Sequence, residues 1–92
     1  PILLVQHIPQ GFTRSLAAQL DSLCKIQVRE ARDHELLVPG QALMVPGDQQ
    51  VSILSGGRLK LYYKAGYSQP SVDLALESAV QVYQNQVLLS LN

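Results

Sequence analysis

The side chains in this sequence best suited to acid–base, nucleophilic or metal chemistry are His7, His34, Cys24 and the loop carboxylates Asp33, Glu35 and Asp48. His7 is the best placed. It follows Ile2-Leu3-Leu4-Val5, an unbroken apolar run of the length and branching of a buried strand. Pro9 and Gly11 then break the backbone before a helical pattern begins. A strand that ends near a histidine and turns into a helix puts an imidazole at the carboxyl edge of a sheet, where open α/β sheets bind ligands. The competing reading is a histidine that finishes a strand bonded to a backbone carbonyl. A lone histidine without visible partners is more often of that kind. His34 has Asp33 and Glu35 on either side, but no second histidine or cysteine within reach by sequence, so it reads as a surface-loop residue and not a metal ligand. Cys24 falls in an apolar helical stripe with no base nearby and reads as core. Asp33, Glu35 and Asp48 have no spacing that pairs them for proton transfer. Ser15 stands in the first turn of a helix, as a capping or exposed serine would. There is no glycine-rich phosphate loop, CxxC, HExxH, EF-hand loop or G-x-S-x-G elbow, so no cofactor or metal is expected.

Several elements must position these groups. From Thr13 to Cys24, Leu16, Ala17, Leu20, Leu23 and Cys24 recur at helical spacing, with Thr13 as the expected N-cap and Phe12 and Ala17 as a hydrophobic staple. Ile26-Gln27-Val28 predicts a short strand, with a continuation to Ala31 left open, and the charged segment Arg29 to Glu35 reads as a solvated loop. Ala42 to Val45 predicts a strand between the turns Val38-Pro39-Gly40 and Pro46-Gly47-Asp48. Val51 to Leu54 and the alternating run Arg58 to Lys64, joined at Ser55-Gly56-Gly57, predict an antiparallel hairpin with Leu59, Leu61 and Tyr63 facing inward. A second helix is expected after Ser71, with Val72, Leu76, Ala79, Val80 and Tyr83 in its stripe, and Val87 to Leu91 makes a last buried strand. The pattern predicts an α/β fold: a doubly wound, mostly parallel sheet with an antiparallel hairpin at one edge. Continuous apolar strands stand at both ends of the chain, with two helices to cover them. Residues 1–92 are therefore expected to be a fragment of a larger domain.

The 92 residues fall within the range of one small domain. Seven Lys and Arg balance seven Asp and Glu, which argues against nucleic acid or an anionic membrane surface as partner. Arg58, Lys60 and Lys64 fit the wet face of a strand. No run approaches a membrane span and no signal-peptide pattern is present, and the single cysteine cannot form an internal disulfide, which suits a cytoplasmic setting.

Val5-Gln6-His7-Ile8-Pro9-Gln10-Gly11-Phe12-Thr13-Arg14-Ser15-Leu16-Ala17 resembles the VQHMPPGFT-x-SLA signature of CheB-type protein-glutamate methylesterases of bacterial chemotaxis. The resemblance continues at Leu20 to Cys24, Val28, Glu30-Ala31, Asp33, Pro39-Gly40, Ala42 to Asp48 and Pro70 to Asp73. It implies a serine hydrolase that demethylates, and often deamidates, glutamyl and glutaminyl side chains on the cytoplasmic helices of chemoreceptors. It implies that His7 is the catalytic base, with Gln6, Gly11 and Phe12 as substrate contacts beside it. The nucleophilic serine and the aspartate of the triad belong to segments outside these residues, so this segment alone is expected to be inactive. A receiver domain in the same parent chain would fit the family. Departures are also present: the family commonly has glycine where His34 stands, histidine at Gln50, His-Arg at Ser68-Gln69 within a longer loop, and Thr-Gly-Met where this chain reads Ser90-Leu91-Asn92. A degenerate domain, kept as a non-catalytic binding or regulatory module, is the alternative.

Overall fold

The computed structural model describes residues 2–5, 9, 11–67, 71 and 88–91. They form β1 (Ile2–Val5), α1 (Phe12–Leu23), β2 (Gln27–Glu30), β3 (Gln41–Met44), β4 (Gln50–Ile53), β5 (Leu59–Tyr62) and β6 (Leu88–Leu91). Among the described residues, four strands pair in parallel in the order β2-β3-β1-β6, with Leu3 opposite Leu43 on one side and Leu89 on the other. β4 and β5 pair antiparallel as a two-stranded sheet of their own. The expected fold class is borne out. The ribbon reaches the rest of the chain through an antiparallel bridge between Leu36 and Arg58.

Strand alternation explains how the parallel sheet is covered on both sides. Ile2, Leu4, Val28, Ala42 and Met44 pack with Leu16, Ala17 and Leu20 of α1. Leu3, Val5, Leu43 and Val45 pack the other way, against Val51, Ile53 and Leu59 of the hairpin and Ala31 and Leu37 of the β2–β3 connection. Fully buried aliphatic side chains of this kind each contribute about 1.5–3 kcal/mol. A parallel neighbour normally needs a crossover long enough for a helix. Residues 31–40 make this one without a helix, because the hairpin supplies their backbone partners. His34 N–H donates to the Leu59 carbonyl (2.9 Å), Leu59 N–H to the Glu35 carbonyl (2.7 Å) and Leu37 N–H to the Gly57 carbonyl (2.9 Å).

Several local expectations change. The periodicity predicts Thr13 as N-cap, but α1 starts at Phe12 behind Gly11, whose φ of 90° is a left-handed turn that a side chain would strain. Phe12 N–H closes that turn on the Pro9 carbonyl (3.2 Å), so the N-cap lies two residues earlier than expected and Thr13 is buried within the first turn. Phe12 lies within the helix and is 64% exposed, so no staple with Ala17 forms. Cys24 is exposed and not core: its extended backbone leaves the helix there, and Leu23 before it is 74% exposed. Burial on α1 therefore ends at Leu20. β2 runs on through Arg29 and Glu30, so of the two readings of that segment the longer strand holds and the loop begins only after Glu30. Tyr63, expected to face inward, lies one residue past β5 and is 70% exposed. The helix expected after Ser71 lies outside the described residues; Ser71 itself donates its N–H to the Oε1 of buried Gln50 (2.7 Å).

Candidate functional site

β1, β2 and β3 all run in one direction, so the connections that follow them gather at one edge of the sheet. There a cleft of about 660 Å³ opens. Its floor is Gly11, Thr13 and Arg14 at the start of α1; Glu30 to Asp33 form one wall and Pro46 to Gln49 another, with Leu61 and Tyr63 of the hairpin across from them. This is the carboxyl edge at which ligands are expected in a sheet of this class. Its charged groups are mixed, with Arg14 and Arg32 beside Glu30, Asp33 and Asp48. Nothing about it favours a polyanion.

One buried contact joins three of these walls. The Thr13 hydroxyl, 1% exposed, donates to Glu30 Oε2 at 2.6 Å, and Gly47 N–H donates to Thr13 Oγ1 at 3.3 Å. The short O–H···O⁻ distance is that of a charge-assisted bond. Position 13 was legible as a helix-start residue, whereas its link to Glu30 spans a separation in sequence that no local pattern reveals. Asp33 plays a comparable part at the hairpin wall, where its Oδ1 accepts from Leu61 N–H (2.8 Å) and His34 N–H (3.1 Å).

Of the sequence candidates, Gly11 lines the cleft, and Phe12 is the exposed first residue of α1 next to it. Gln6 and His7 lie outside the described residues; β1 ends at Val5, two positions before His7 in sequence. His34 is an exposed loop residue, as expected, whose ring lies 3.3 Å from Asp33 Oδ2. Its φ of 66° is left-handed, a conformation in which glycine pays no Cβ penalty. Among the described residues, no group of histidine, cysteine and carboxylate side chains could hold a metal ion, and no helix is long and apolar enough to cross a membrane. Glu35 and Arg29 form an ion pair beside the cleft wall. The hydrogen bond from Arg29 holds the Glu35 carboxyl below the usual carboxylate range, against an opposing push from burial, and the Arg32 backbone N–H adds to the lowering.

The family model of the CheB methylesterases matches residues 1–91. The chain belongs to the CheB methylesterase family. Protein-glutamate methylesterase/protein-glutamine glutaminase 1 of Pseudomonas syringae pv. tomato is 42% identical over 91 residues, which cover 96% of this chain and 23% of that protein. Protein-glutamate methylesterase/protein-glutamine glutaminase 1 of Pseudomonas aeruginosa is 38% identical over 91 residues, 96% of this chain and 24% of that protein. Among solved structures, the CheB methylesterase catalytic domain of Thermotoga maritima superposes with a TM-score of 0.81 at 34% identity. That match covers 99% of this chain and 51% of the solved one. The chain thus spans about a quarter of the length of these curated relatives and half of a solved CheB catalytic domain.

Proposed function

We propose that residues 1–92 are the histidine-bearing middle of a protein-glutamate methylesterase catalytic domain, with the serine-bearing and aspartate-bearing turns of the triad in segments outside them. The observation that carries this is that β1 ends at Val5 on the carboxyl edge of the parallel sheet and α1 begins beside an open cleft, with the family signature around His7 lying between them in sequence. In the whole enzyme, His7 takes the proton of the serine hydroxyl as the serine oxygen attacks the glutamyl ester carbonyl. The same proton goes to the departing methoxide, which leaves as methanol, and water then releases the carboxylate with His7 again as base. Gln6, Gly11 and Phe12 border the ester and contact substrate. The mixed charge of the cleft suits a neutral ester on a polypeptide, and no cofactor is required. The substrates are methylated cytoplasmic helices of chemoreceptors, a receiver domain in the same parent chain would control access, and the protein works in the cytoplasm.

Without a nucleophile, the 92-residue segment alone has no esterase activity. A fluorophosphonate probe applied to the full-length gene product tests the reading. Labelling that is lost in His7→Ala and kept in Ser15→Ala is the expected result. Absence of labelling in the unsubstituted protein would instead favour a non-catalytic binding module, a reading supported by Ser90-Leu91-Asn92 standing where the family has Thr-Gly-Met.

A further inference from the structure

The Thr13–Glu30–Gly47 contact is the only one in the cleft that ties together the start of α1, the end of β2 and the β3–β4 turn among the hydrogen bonds of the described residues. Its centre is fully buried, although a threonine in the first turn of a helix ordinarily faces water or caps its own helix. The α1 N-terminus has no side-chain cap, so the hydroxyl is committed to the tertiary contact. The hydroxyl spends its single donor on Glu30 and accepts from Gly47 N–H. Glu30 lines the cleft and also a second hollow of about 470 Å³ between α1 and β2. The connection that bears His7 is held at one end by the ladder of β1, where Val45 N–H donates to the Leu4 carbonyl at 2.9 Å. Past its other end, Thr13 is the first of the described residues with a side-chain hydrogen bond, the one to Glu30.

We infer that Thr13 and Glu30 are positioning residues for the reaction: they fix the entry of α1 and thereby the end point of the connection that carries His7, and they touch no reacting atom. The inference rests on the methylesterase reading above. A base displaced by even an ångström loses most of its proton-transfer advantage while substrate still binds. Loss of the tie should therefore lower kcat and leave KM nearly unchanged.

The test is methyl-ester turnover by the full-length protein, corrected for folded fraction. Thr13→Val, which keeps the shape and removes the hydroxyl, is expected to lower kcat about 10–100-fold with KM within about twofold. Thr13→Ser should restore kcat to within about threefold. Glu30→Ala should lower kcat in the same way and by no more than Thr13→Val, which also loses the acceptor for Gly47 N–H. The double variant should be no worse than Thr13→Val alone, since the Thr13–Glu30 bond is broken in all three. If Thr13→Val proves too unstable to assay, Glu30→Ala carries the comparison with Glu30→Gln, which keeps an acceptor for the Thr13 hydroxyl and should retain kcat within about threefold. Additive losses, or Thr13→Val and Glu30→Ala with unaltered kcat, would overturn the inference. His7→Ala separates the two levels: if it leaves turnover intact the methylesterase reading fails, whereas if it abolishes turnover and the tie variants do not, only the positioning role fails.

Discussion

The two faces of the parallel sheet are closed by different means. On one face α1 lays Leu16, Ala17 and Leu20 over Val28, Ala42 and Met44, and the helix satisfies its own backbone. On the other face an irregular connection and a two-stranded ribbon close over Leu3, Val5, Leu43 and Val45. There, several backbone groups are satisfied across long separations in sequence, as in His34 to Leu59 and Leu37 to Gly57, and others by the Asp33 carboxylate. A helix can be formed and then docked. The ribbon face has to be assembled all at once, because an unpaired backbone group buried there would cost about 1–3 kcal/mol. The ribbon face should therefore be the more cooperative of the two and the more sensitive to single changes.

The largest effect expected from that difference is in the packing. Leu59 is completely buried between the ribbon and the sheet, whereas Leu16 of α1 is only half buried. Leu59→Ala should cost about 2–5 kcal/mol, in the range of fully buried leucines, and Leu16→Ala about 1 kcal/mol. Urea unfolding followed by circular dichroism would measure both. Equal losses at the two positions would remove the asymmetry between the faces.

Each face also has one carboxylate that caps a strand N–H. Asp21 Oδ1 accepts from Val28 N–H at 2.7 Å on the helix side, and Asp33 Oδ1 accepts from Leu61 and His34 N–H on the ribbon side. Asp33→Ala removes two acceptances and should cost about 1–2 kcal/mol; Asp21→Ala removes one and should cost about 1 kcal/mol. Amide hydrogen exchange sharpens the comparison. Asp33→Ala should speed exchange at Leu59, Leu61 and Leu37 together, as a unit, while Asp21→Ala should speed it at Val28 with the ribbon unchanged. Exchange at Leu61 that rises alone would show that the ribbon face opens piecemeal.

The same division explains what could be read from sequence. The helix face was legible at Leu16, Ala17 and Leu20, whose spacing reports burial directly, and so were the strands, whose apolar runs need no partner to be recognised. The pattern overran at Leu23 and Cys24, because periodicity marks which side a residue faces and not where the sheet beneath it stops. On the ribbon face, Leu59 and Leu61 were legible by alternation, but Asp33 and Glu35 looked like solvated loop charge. Their partners, Leu61 and Arg29, belong to strands that only the tertiary fold brings near. The cleft followed the same rule: its location came from strand direction and the residues at the β1–α1 turn, while the inward commitment of Thr13 to Glu30 depended on a contact between separate elements.

The smallest expected effect lies where the two faces meet, at Glu35. Its carboxyl accepts from Arg29 of β2 and from Arg32 N–H, while its carbonyl accepts from Leu59 N–H of the ribbon, so one residue links the edge of the parallel sheet to β5. Because the folded-state pKa is lowered, folding favours the ionised form. The stabilisation is complete above the ordinary carboxylate range of the unfolded chain, and it is lost as pH falls toward and through the lowered folded value. Arg29 is about one-third exposed (36%), so solvent screening holds the gain below about 1 kcal/mol. Arg29→Met should therefore lower the urea midpoint slightly at pH 7 and leave it unchanged near pH 2, and added salt should narrow the gap at pH 7. If the pair couples the faces, Arg29→Met at pH 7 should also quicken exchange at Leu59, the ribbon amide bonded to the Glu35 carbonyl. A protection factor at Leu59, corrected for the intrinsic pH dependence of exchange, that ignores both pH and this substitution would mean that the backbone bond alone holds the ribbon in place, with the ion pair contributing nothing across the boundary.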